Sequence, residues 1–203
     1  MQISVNKPQG KFLAMPDRIK YKAFVSGFGG GKTFVGCIQQ CLDYWRYPGI
    51  NQLYAAPTIP QIRDIYYPTI IQVSELMGLR VEVREGNKEV HFYEGRKYRG
   101  TTICRSMQIP ESIVGFKVGS ALVDEIDIMD AMKAERAWNK ILGRMRYENA
   151  TNRVSVTSTP EGYKFIYNRF VMNATERYGL VQASTYDNEL NLPPDYIESL
   201  ADT

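Results

Sequence analysis

A glycine-rich segment, SGFGGGKT at residues 26–33, carries the clearest chemical signal in the sequence. It has the spacing of a phosphate-binding loop, G-x-x-x-x-G-K-[ST], except that Ser26 stands where the first glycine is expected. Small residues let successive backbone N–H groups point at phosphate oxygens, and a helix that starts near Lys32 adds its positive end. Lys32 would then reach the β- and γ-phosphates of a nucleotide, and the Thr33 hydroxyl would ligate Mg²⁺. The candidate phosphate-binding residues are Gly27, Gly29, Gly30, Gly31, Lys32 and Thr33. A glycine-rich turn that happens to precede Lys-Thr is the alternative.

A second signal is an apolar strand, residues 120–123, that ends in Asp124 and Glu125. Open α/β sheets bind their ligands at the carboxyl ends of strands. Asp124 is therefore expected opposite the glycine-rich loop as the Mg²⁺ partner, largely through coordinated water. Glu125 is expected to polarise a water for in-line attack on a γ-phosphate. A solvated Asp-Glu turn is the alternative, and Asp127 and Asp130 are interpreted as solvated charges at the start of the next helix.

The segment VSVTSTPEG, residues 154–162, predicts a strand that ends in hydroxyl side chains and a turn-forming proline. On a central strand, Thr157 and Thr159 would lie between the γ-phosphate site and the far side of the sheet, and could sense whether phosphate is present. A plain Ser/Thr-rich strand end is the alternative.

Near the N-terminus, the segment PQGKF at residues 8–12 offers a candidate adenine contact. The Gln9 amide can read an adenine edge with both a donor and an acceptor, and Phe12 could stack on the ring. The alternative is an N-terminal loop that packs Phe12 into the core.

Strands and helices alternate along most of the chain. Strands are predicted at residues 22–26, 52–56, 120–123, 153–157 and 180–184, and helices at 32–45, 61–77, 131–145 and 163–172. Three further alternating segments, 79–84, 89–93 and 98–105, are joined by turns and predict an antiparallel meander. The pattern favours an α/β fold in which helices cover both faces of a mainly parallel sheet, with the meander as an insertion.

The bulk composition is that of an ordinary globular protein of one domain. The 203 residues are 44% hydrophobic and 23% charged, and no apolar run approaches the roughly 18 residues of a transmembrane helix. The N-terminus lacks the basic-then-apolar layout of a signal peptide, so a cytoplasmic protein is expected. Cys37, Cys41 and Cys104 are expected to be reduced structural thiols, and His91 an ordinary strand residue, because their spacing does not suggest a zinc site. The net charge of +3 permits a nucleic-acid partner without requiring one.

Together and in this order, these segments resemble the ATPase domain of the large terminase subunit of tailed bacteriophages, the motor that packages DNA into the empty capsid. TPEG at residues 159–162, YDN at 186–188 and LPPDY at 192–196 add to the resemblance, which covers essentially the whole chain. It implies a RecA-like P-loop NTPase fold of the ASCE type. It also implies an ATPase that uses ATP and Mg²⁺ to drive double-stranded DNA into a procapsid.

The same resemblance implies a set of partners. These are double-stranded DNA, the portal protein and the small terminase subunit, with a homo-oligomeric ring assembled on the portal. The expected location is the host cell cytoplasm, without membrane contact and outside the mature virion.

Two positions depart from the family pattern. Family members often carry arginine where this chain has Phe28, inside the loop, and Val114, before the glycine upstream of the acidic strand. The charge-neutralising arginine must therefore come from elsewhere, and a neighbouring subunit is one source. Arg144 and Arg146 are the leading candidates for this catalytic role, and a basic helix end is the alternative. The next candidates are Lys117 and Arg105.

Length is a further departure from the family. Large terminases also carry a C-terminal nuclease domain of the RNase H type, for which the residues after Asp187 leave no room. We therefore expect residues 1–203 to form one terminase-like ATPase domain, with the nuclease domain absent from this chain. The helical pattern of residues 195–203 favours an excised domain.

The meander is the candidate DNA contact, because basic residues interleaved with aromatics suit phosphate contact and stacking. The residues concerned are Arg84, Lys88, Arg96, Lys97, Arg99 and Arg105, with Phe92, Tyr93 and Tyr98. An ordinary solvated hairpin balanced by its glutamates is the alternative. Competing functions are a helicase-type or other DNA-dependent P-loop ATPase, a metabolite or nucleotide kinase, and a non-hydrolysing nucleotide-binding module.

Overall fold

The computed structural model describes residues 3–201. Its strands are β1 (Tyr21–Ser26), β2 (Asn51–Ala56), β3 (Arg80–Arg84), β4 (Glu89–Glu94), β5 (Lys97–Ser106), β6 (Ser120–Asp124), β7 (Arg153–Ser158) and β8 (Tyr178–Ala183). They form one sheet in the order β3-β4-β5-β2-β6-β7-β1-β8.

Most of the sheet is parallel. β5, β2, β6, β7, β1 and β8 pair in parallel, whereas β3 pairs antiparallel with β4, and β4 with β5. The predicted meander is present, but its third strand is more than an insertion. β5 is 10 residues long and pairs with β4 on one side and β2 on the other. The meander therefore extends one side of the parallel sheet. The predicted α/β class is confirmed.

The helices are α1 (Lys7–Leu13), α2 (Lys32–Arg46), α3 (Ile59–Gln61), α4 (Tyr67–Leu76), α5 (Ala131–Leu142), α6 (Phe165–Tyr167) and α7 (Pro194–Ala201). Two π-helical turns, Ile62–Tyr66 and Asn168–Met172, join α3 to α4 and extend α6. Short 3-10 turns occupy Glu85–Asn87, Pro110–Ser112, Ile126–Ile128 and Thr185–Asn191. Of the helix predicted at 195–203, residues 202 and 203 lie outside the described residues.

Helices cover both faces of the sheet. Tyr44 of α2 and Ile70 of α4 are buried in the core on one face, whereas Trp138 of α5 and Phe165 of α6 are buried in the core on the other. The central strands are buried along nearly their whole length, as expected for a parallel sheet that helices cover on both faces. The three cysteines are free and buried, and no helix within residues 3–201 is long and apolar enough to cross a membrane.

The segment around Gln9 is a helix, α1, rather than a loop. The Asn6 side chain accepts a hydrogen bond from the Gln9 backbone N–H (2.9 Å), and Gln9 Oε1 accepts one from the Asn6 N–H (3.1 Å). This reciprocal pair is a capping box, in which a polar residue and a glutamine three positions later satisfy two otherwise free donors.

The helix predicted over 131–145 ends earlier, at Leu142. The Val118 N–H donates to the Arg144 carbonyl (3.0 Å), and the Arg146 N–H donates to the Val118 carbonyl (3.3 Å). Residues 144–146 therefore pair with the chain that leads into β6 instead of continuing the helix, and Gly143 is the residue at which the helix stops.

Candidate active site

The sheet topology brings the predicted site residues together at the carboxyl ends of the parallel strands. β7 lies between β1 and β6, and Thr157 of β7 is in register with Phe24 of β1 and Asp124 of β6. All three strands are parallel, so their carboxyl ends meet at the same edge, with neighbouring strands about 4.8 Å apart. The glycine-rich loop after β1 and the acids after β6 are therefore separated by a single strand.

The glycine-rich loop needs its glycines. Gly29 and Gly31 both have φ of 73°, a left-handed conformation that side chains disfavour, and Gly31 is the residue from which α2 begins. A Cβ on Gly30 would overlap the Ser26 side chain. The Gly30 N–H donates to the Gly27 carbonyl (3.3 Å), which closes the turn. Ser26, in the place of the first glycine, is thus accommodated because Gly30 leaves room for it.

Two side chains from a distant segment hold the loop in place. Thr185 Oγ1 donates to the Phe28 carbonyl (2.8 Å), and Asn188 Nδ2 donates to the Gly29 carbonyl (2.7 Å). These bonds fix the directions of the loop peptides, and fixed peptides are what a backbone N–H cradle for an anion requires. The sequence analysis gives neither residue a role, because Asn188 enters it only as part of a family marker and Thr185 lies just outside that marker.

Gln9 lies beside the loop, at a cavity of about 340 Å³. Its Nε2 donates to the Gly31 carbonyl (3.3 Å). Phe12 is fully buried and packs edge-on against Phe24, so it belongs to the core and does not face the cavity. The cavity is lined by Ser4, Gln9, Gly31, Phe34, Gln72, Asn188 and Asn191. Phe34 is therefore the aromatic side chain of this cavity.

Lys32 lies between the loop and the acidic strand end. Its Nζ donates to the Gly27 carbonyl (3.0 Å) and is 3.5 Å from Glu125 Oε1. Only 8% of the side chain is exposed. A phosphate entering the loop would therefore meet an ammonium group already held at its mouth.

Asp124 is almost completely buried and accepts bonds from three hydroxyl groups. Its Oδ2 accepts from Thr33 Oγ1 and from Tyr54 Oη, both at 2.9 Å, and its Oδ1 accepts from Thr157 Oγ1 at 2.7 Å. Burial raises the pKa of this carboxyl group, and the hydroxyl hydrogen bonds oppose that rise. Thr157, predicted to sense phosphate, thus contacts the aspartate.

Thr33 and Asp124 suit Mg²⁺. The ion prefers hard oxygen ligands and commonly takes one or two from the protein, completing its octahedron with water and substrate phosphates. The Thr33 hydroxyl and the Asp124 carboxylate lie in contact beside the phosphate-binding loop, and so supply this donor set. Within residues 3–201, no group of three His, Cys, Asp or Glu side chains is arranged to hold a metal by itself.

Glu125 adopts a left-handed backbone conformation, with φ of 51°. Such a conformation costs a non-glycine residue about 1–2 kcal/mol. It persists here because the Glu125 N–H donates to the Thr157 carbonyl (2.7 Å), and the carboxylate accepts from the Thr159 N–H (2.8 Å) and hydroxyl (3.1 Å). Thr159, predicted to sense phosphate, thus contacts the candidate catalytic acid.

Asp127 is not the solvated charge expected from the sequence. It is 1% exposed, and its two carboxylate oxygens accept from the backbone N–H groups of Glu161 (3.0 Å) and Ile166 (2.8 Å). The carboxylate therefore anchors the loop that follows β7 to the turn that follows Glu125. Asp130 is exposed and caps α5, as expected for a residue at a helix start.

Arg144 and Arg146 lie near the amino ends of the parallel strands, whereas the loop lies at their carboxyl ends. Their backbones bond to Val118, which precedes Asp124 by six residues of extended chain, or roughly 20 Å. Neither arginine can therefore reach the loop of its own chain. Lys117, next to Val118, also lies near the amino ends of the strands.

Arg105 is also distant from the loop. It lies on β5 in register with Ala55, and four strand spacings, roughly 19 Å, separate β5 from β1. Its guanidinium donates to the Cys104 carbonyl (2.8 Å). None of the four basic candidates is thus adjacent to the phosphate-binding loop within one chain.

The meander offers fewer DNA-contact residues than its sequence suggests. Phe92 is fully buried and stacks on Tyr44, and Arg99 is 8% exposed and pairs with Glu94. Tyr98 remains exposed on this surface. Because side chains alternate between the two faces of a strand, Phe92 points into the core and cannot contact DNA.

A mainly parallel sheet with a glycine-rich loop of P-loop spacing after β1, and an acid-ended strand two positions away, has the arrangement of a P-loop NTPase domain. A family model described as terminase large subunit, T4likevirus-type, N-terminal, matches residues 23–203. The chain belongs to this family, which confirms the resemblance drawn from the motifs.

Solved structures agree with this assignment at the level of the fold. The large terminase of a thermophilic bacteriophage in complex with ADP is similar with a TM-score of 0.82 and 18% identity, covering 97% of this chain and 49% of that one. The complex of the same terminase with ATP-γ-S gives a TM-score of 0.77 and 19% identity, covering 96% and 48%. This chain thus spans about half the length of that terminase.

Two other phages provide similar structures. The large terminase ATPase domain of Thermus phage P74-26 has a TM-score of 0.69 and 15% identity, covering 96% of this chain and 87% of that one. A chain of the bacteriophage phi29 viral genome packaging motor assembly has a TM-score of 0.57 and 15% identity, covering 85% and 55%. No curated protein matches the chain in sequence.

Proposed function

We propose that this chain is the ATP-hydrolysing motor domain of a large terminase and drives double-stranded DNA into a procapsid. The observation that carries the proposal is a pair of contacts at the carboxyl ends of the strands. Lys32 Nζ lies 3.5 Å from Glu125 Oε1, and the Thr33 hydroxyl donates to Asp124 Oδ2 (2.9 Å). Family membership and the complexes of the thermophilic-phage terminase with ADP and ATP-γ-S support it. ATP-dependent DNA translocation by a motor that contains this chain is the test. Full ATP turnover without translocation would point to another kind of ATPase.

The nucleotide would occupy the loop and the cavity beside it. The backbone N–H groups of residues 27–33 would bind the phosphates, joined by Lys32 once its Nζ leaves the Gly27 carbonyl. The adenine would enter the cavity of about 340 Å³, where the amide group of Gln9 would read its polar edge. Phe34, rather than Phe12, would pack against the ring.

Thr33 and Asp124 would hold Mg²⁺. When bound, the ion would neutralise charge that develops on the β- and γ-phosphate oxygens. Thr157 fixes the second oxygen of Asp124, so the carboxylate is held from both sides.

Glu125 would orient the attacking water and accept its proton. Its Oε2 accepts from the Thr159 N–H, whereas its Oε1 accepts from the Thr159 hydroxyl and lies 3.5 Å from the Lys32 ammonium. A γ-phosphate would draw the Lys32 ammonium away from Glu125 Oε1, which would leave that oxygen, still bonded to the Thr159 hydroxyl, able to accept a water. The ion pair thus links nucleotide entry to the release of the base.

Glu125→Gln is expected to keep nucleotide binding while hydrolysis drops by roughly 10²-fold or more, the typical worth of a positioned acid–base group. The amide keeps the size of the side chain but cannot take a proton. Equilibrium nucleotide binding and phosphate release are measured together, with Glu148→Gln, at an exposed position, as the matched control. A loss of binding as large as the loss of turnover would make Glu125 a structural residue.

Thr159→Ala is expected to separate hydrolysis from movement. The variant keeps the N–H bond to Glu125 but loses the hydroxyl bond, so basal ATP turnover should fall modestly while DNA packaging by the assembled motor fails. Thr159→Ser, which retains the hydroxyl, is the control and should package normally. Intact packaging by Thr159→Ala would remove the coupling role.

The partners follow from the same proposal. We propose that the motor acts as a homo-oligomeric ring on the portal protein, with the small terminase subunit and double-stranded DNA as further partners, in the host cell cytoplasm. The similarity to a chain of the phi29 packaging motor assembly supports a place in such a motor. We further propose that residues 1–203 act as one ATPase domain.

A further inference from the structure

Tyr54 has a hydroxyl group to which the mechanism above gives no role. The residue is in the middle of β2, beside Leu122 of β6, and is 1% exposed. Its hydroxyl donates to Asp124 Oδ2 at 2.9 Å. A buried phenol thus reaches across one strand spacing to the carboxylate assigned to the metal.

The two donors to Asp124 Oδ2 differ in how firmly they are held. Thr33 opens α2 and is itself the proposed metal ligand, so the direction of its hydroxyl depends on the ion. Tyr54 belongs to the core, and within residues 3–201 its hydroxyl has no hydrogen-bond partner besides Asp124. It is therefore the donor on Oδ2 whose position does not depend on the ligand state.

Packing fixes the Tyr54 ring. It stacks on the ring of Tyr66, with centroids 3.6 Å apart and planes 10° from parallel. The hydroxyl of Tyr66 donates to Gln40 Oε1 (3.0 Å) on α2, the helix that the phosphate-binding loop enters. Tyr66 ends the π-helical turn Ile62–Tyr66, a type of distortion that is frequent at functional sites.

We infer that Tyr54 is a positioning residue for the metal site: its hydroxyl holds Asp124 Oδ2 in the orientation in which the carboxylate partners Mg²⁺. Groups that hydrogen-bond to metal-ligating side chains orient them, and losing such a group typically lowers metal affinity by about 10–100-fold. The inference rests on the proposed function, because it assigns Mg²⁺ to Asp124.

Tyr54→Phe removes the hydroxyl and keeps the ring, the stack and the donors from Thr33 and Thr157. Tyr66→Phe is the matched control, because it removes an equally buried hydroxyl from the same stack that does not touch Asp124. Binding of a fluorescent ADP analogue is measured in EDTA and then across a Mg²⁺ titration. Thermal unfolding of both variants verifies that each is folded.

Tyr54→Phe is expected to need about 10-fold more Mg²⁺ for half of the metal-dependent gain in nucleotide affinity, with an unchanged dissociation constant in EDTA. Tyr66→Phe is expected to match the wild type. An unshifted Mg²⁺ requirement in Tyr54→Phe, or an equal shift in Tyr66→Phe, would overturn the inference alone. A wild-type protein that binds no nucleotide would overturn the proposed function and this inference with it.

Discussion

Lys32→Ala is expected to abolish ATP hydrolysis and to weaken nucleotide binding. Lys32 is the cation of the phosphate-binding loop, and its Nζ is held at the loop mouth by the Gly27 carbonyl and Glu125. Without it, the developing charge on the transferred phosphoryl group loses its nearest positive partner. ATP turnover and equilibrium binding of ATP-γ-S measure the two effects.

The matched control for this variant is Lys140→Ala, which removes the same charge from an exposed position on α5. It should leave both quantities unchanged. Near-normal turnover in Lys32→Ala would mean that the glycine-rich loop does not bind the reacting phosphates.

A ring that mixes two inactive variants is expected to recover ATP turnover. One is the double variant Arg144→Ala/Arg146→Ala, and the other is Glu125→Gln. Both arginines lie near the amino ends of the strands, roughly 20 Å of strand from Asp124, so they can serve only the site of a neighbouring subunit. An arginine at the transferred phosphate is worth on the order of 10³ or more in rate. Rings of the double variant alone should turn over ATP about 10³-fold more slowly than the wild type. Rings that mix it with Glu125→Gln should regain part of that rate, because the Glu125→Gln subunits supply the arginines.

The single variants refine this prediction. Arg146 is exposed, whereas Arg144 is half-buried, so Arg146→Ala should account for most of the loss. Unaltered turnover in the double variant, or no recovery in assembled mixed rings, would exclude these arginines as the shared cation. Lys117, exposed near the same amino ends, would be tested next in the same way.

The placement of the residues at the centre of the site was predictable because it is local. A strand, a glycine-rich turn and a helix follow one another within residues 21–46, and the left-handed geometry at Gly29 and Gly31 is what their residue type permits. The acids also follow directly from their strand, since parallel strands deliver their ends to a common edge. The alternation of strands and helices was enough for the fold class.

The contacts that hold this chemistry in place were not predictable, because they join residues far apart in the sequence. Asn188 reaches the loop carbonyl at Gly29, and Tyr54 reaches Asp124 from a neighbouring strand. Asp127 looked solvated because its partners are backbone N–H groups more than 30 residues away. Such partners leave no periodic pattern in the chain.

The placement of the basic residues depended on packing in the same way. The helix predicted to reach residue 145 stops at Leu142, because residues 144–146 pair with the chain entering β6. That pairing carries Arg144 and Arg146 to the amino ends of the strands. Phe12, for which adenine stacking and core packing were both open, and Phe92, a candidate for DNA stacking, are buried because each fills the core beside another aromatic ring.

Phosphate release from ATP, measured across a range of protein concentrations with double-stranded DNA present, tests the central claim most directly. The site predicts slow, Mg²⁺-dependent release by dilute protein, with a rate per molecule that rises as subunits associate and supply the shared arginine. Binding of ATP without phosphate release at any concentration would contradict hydrolysis at this site, and would favour a nucleotide-binding module that does not turn over.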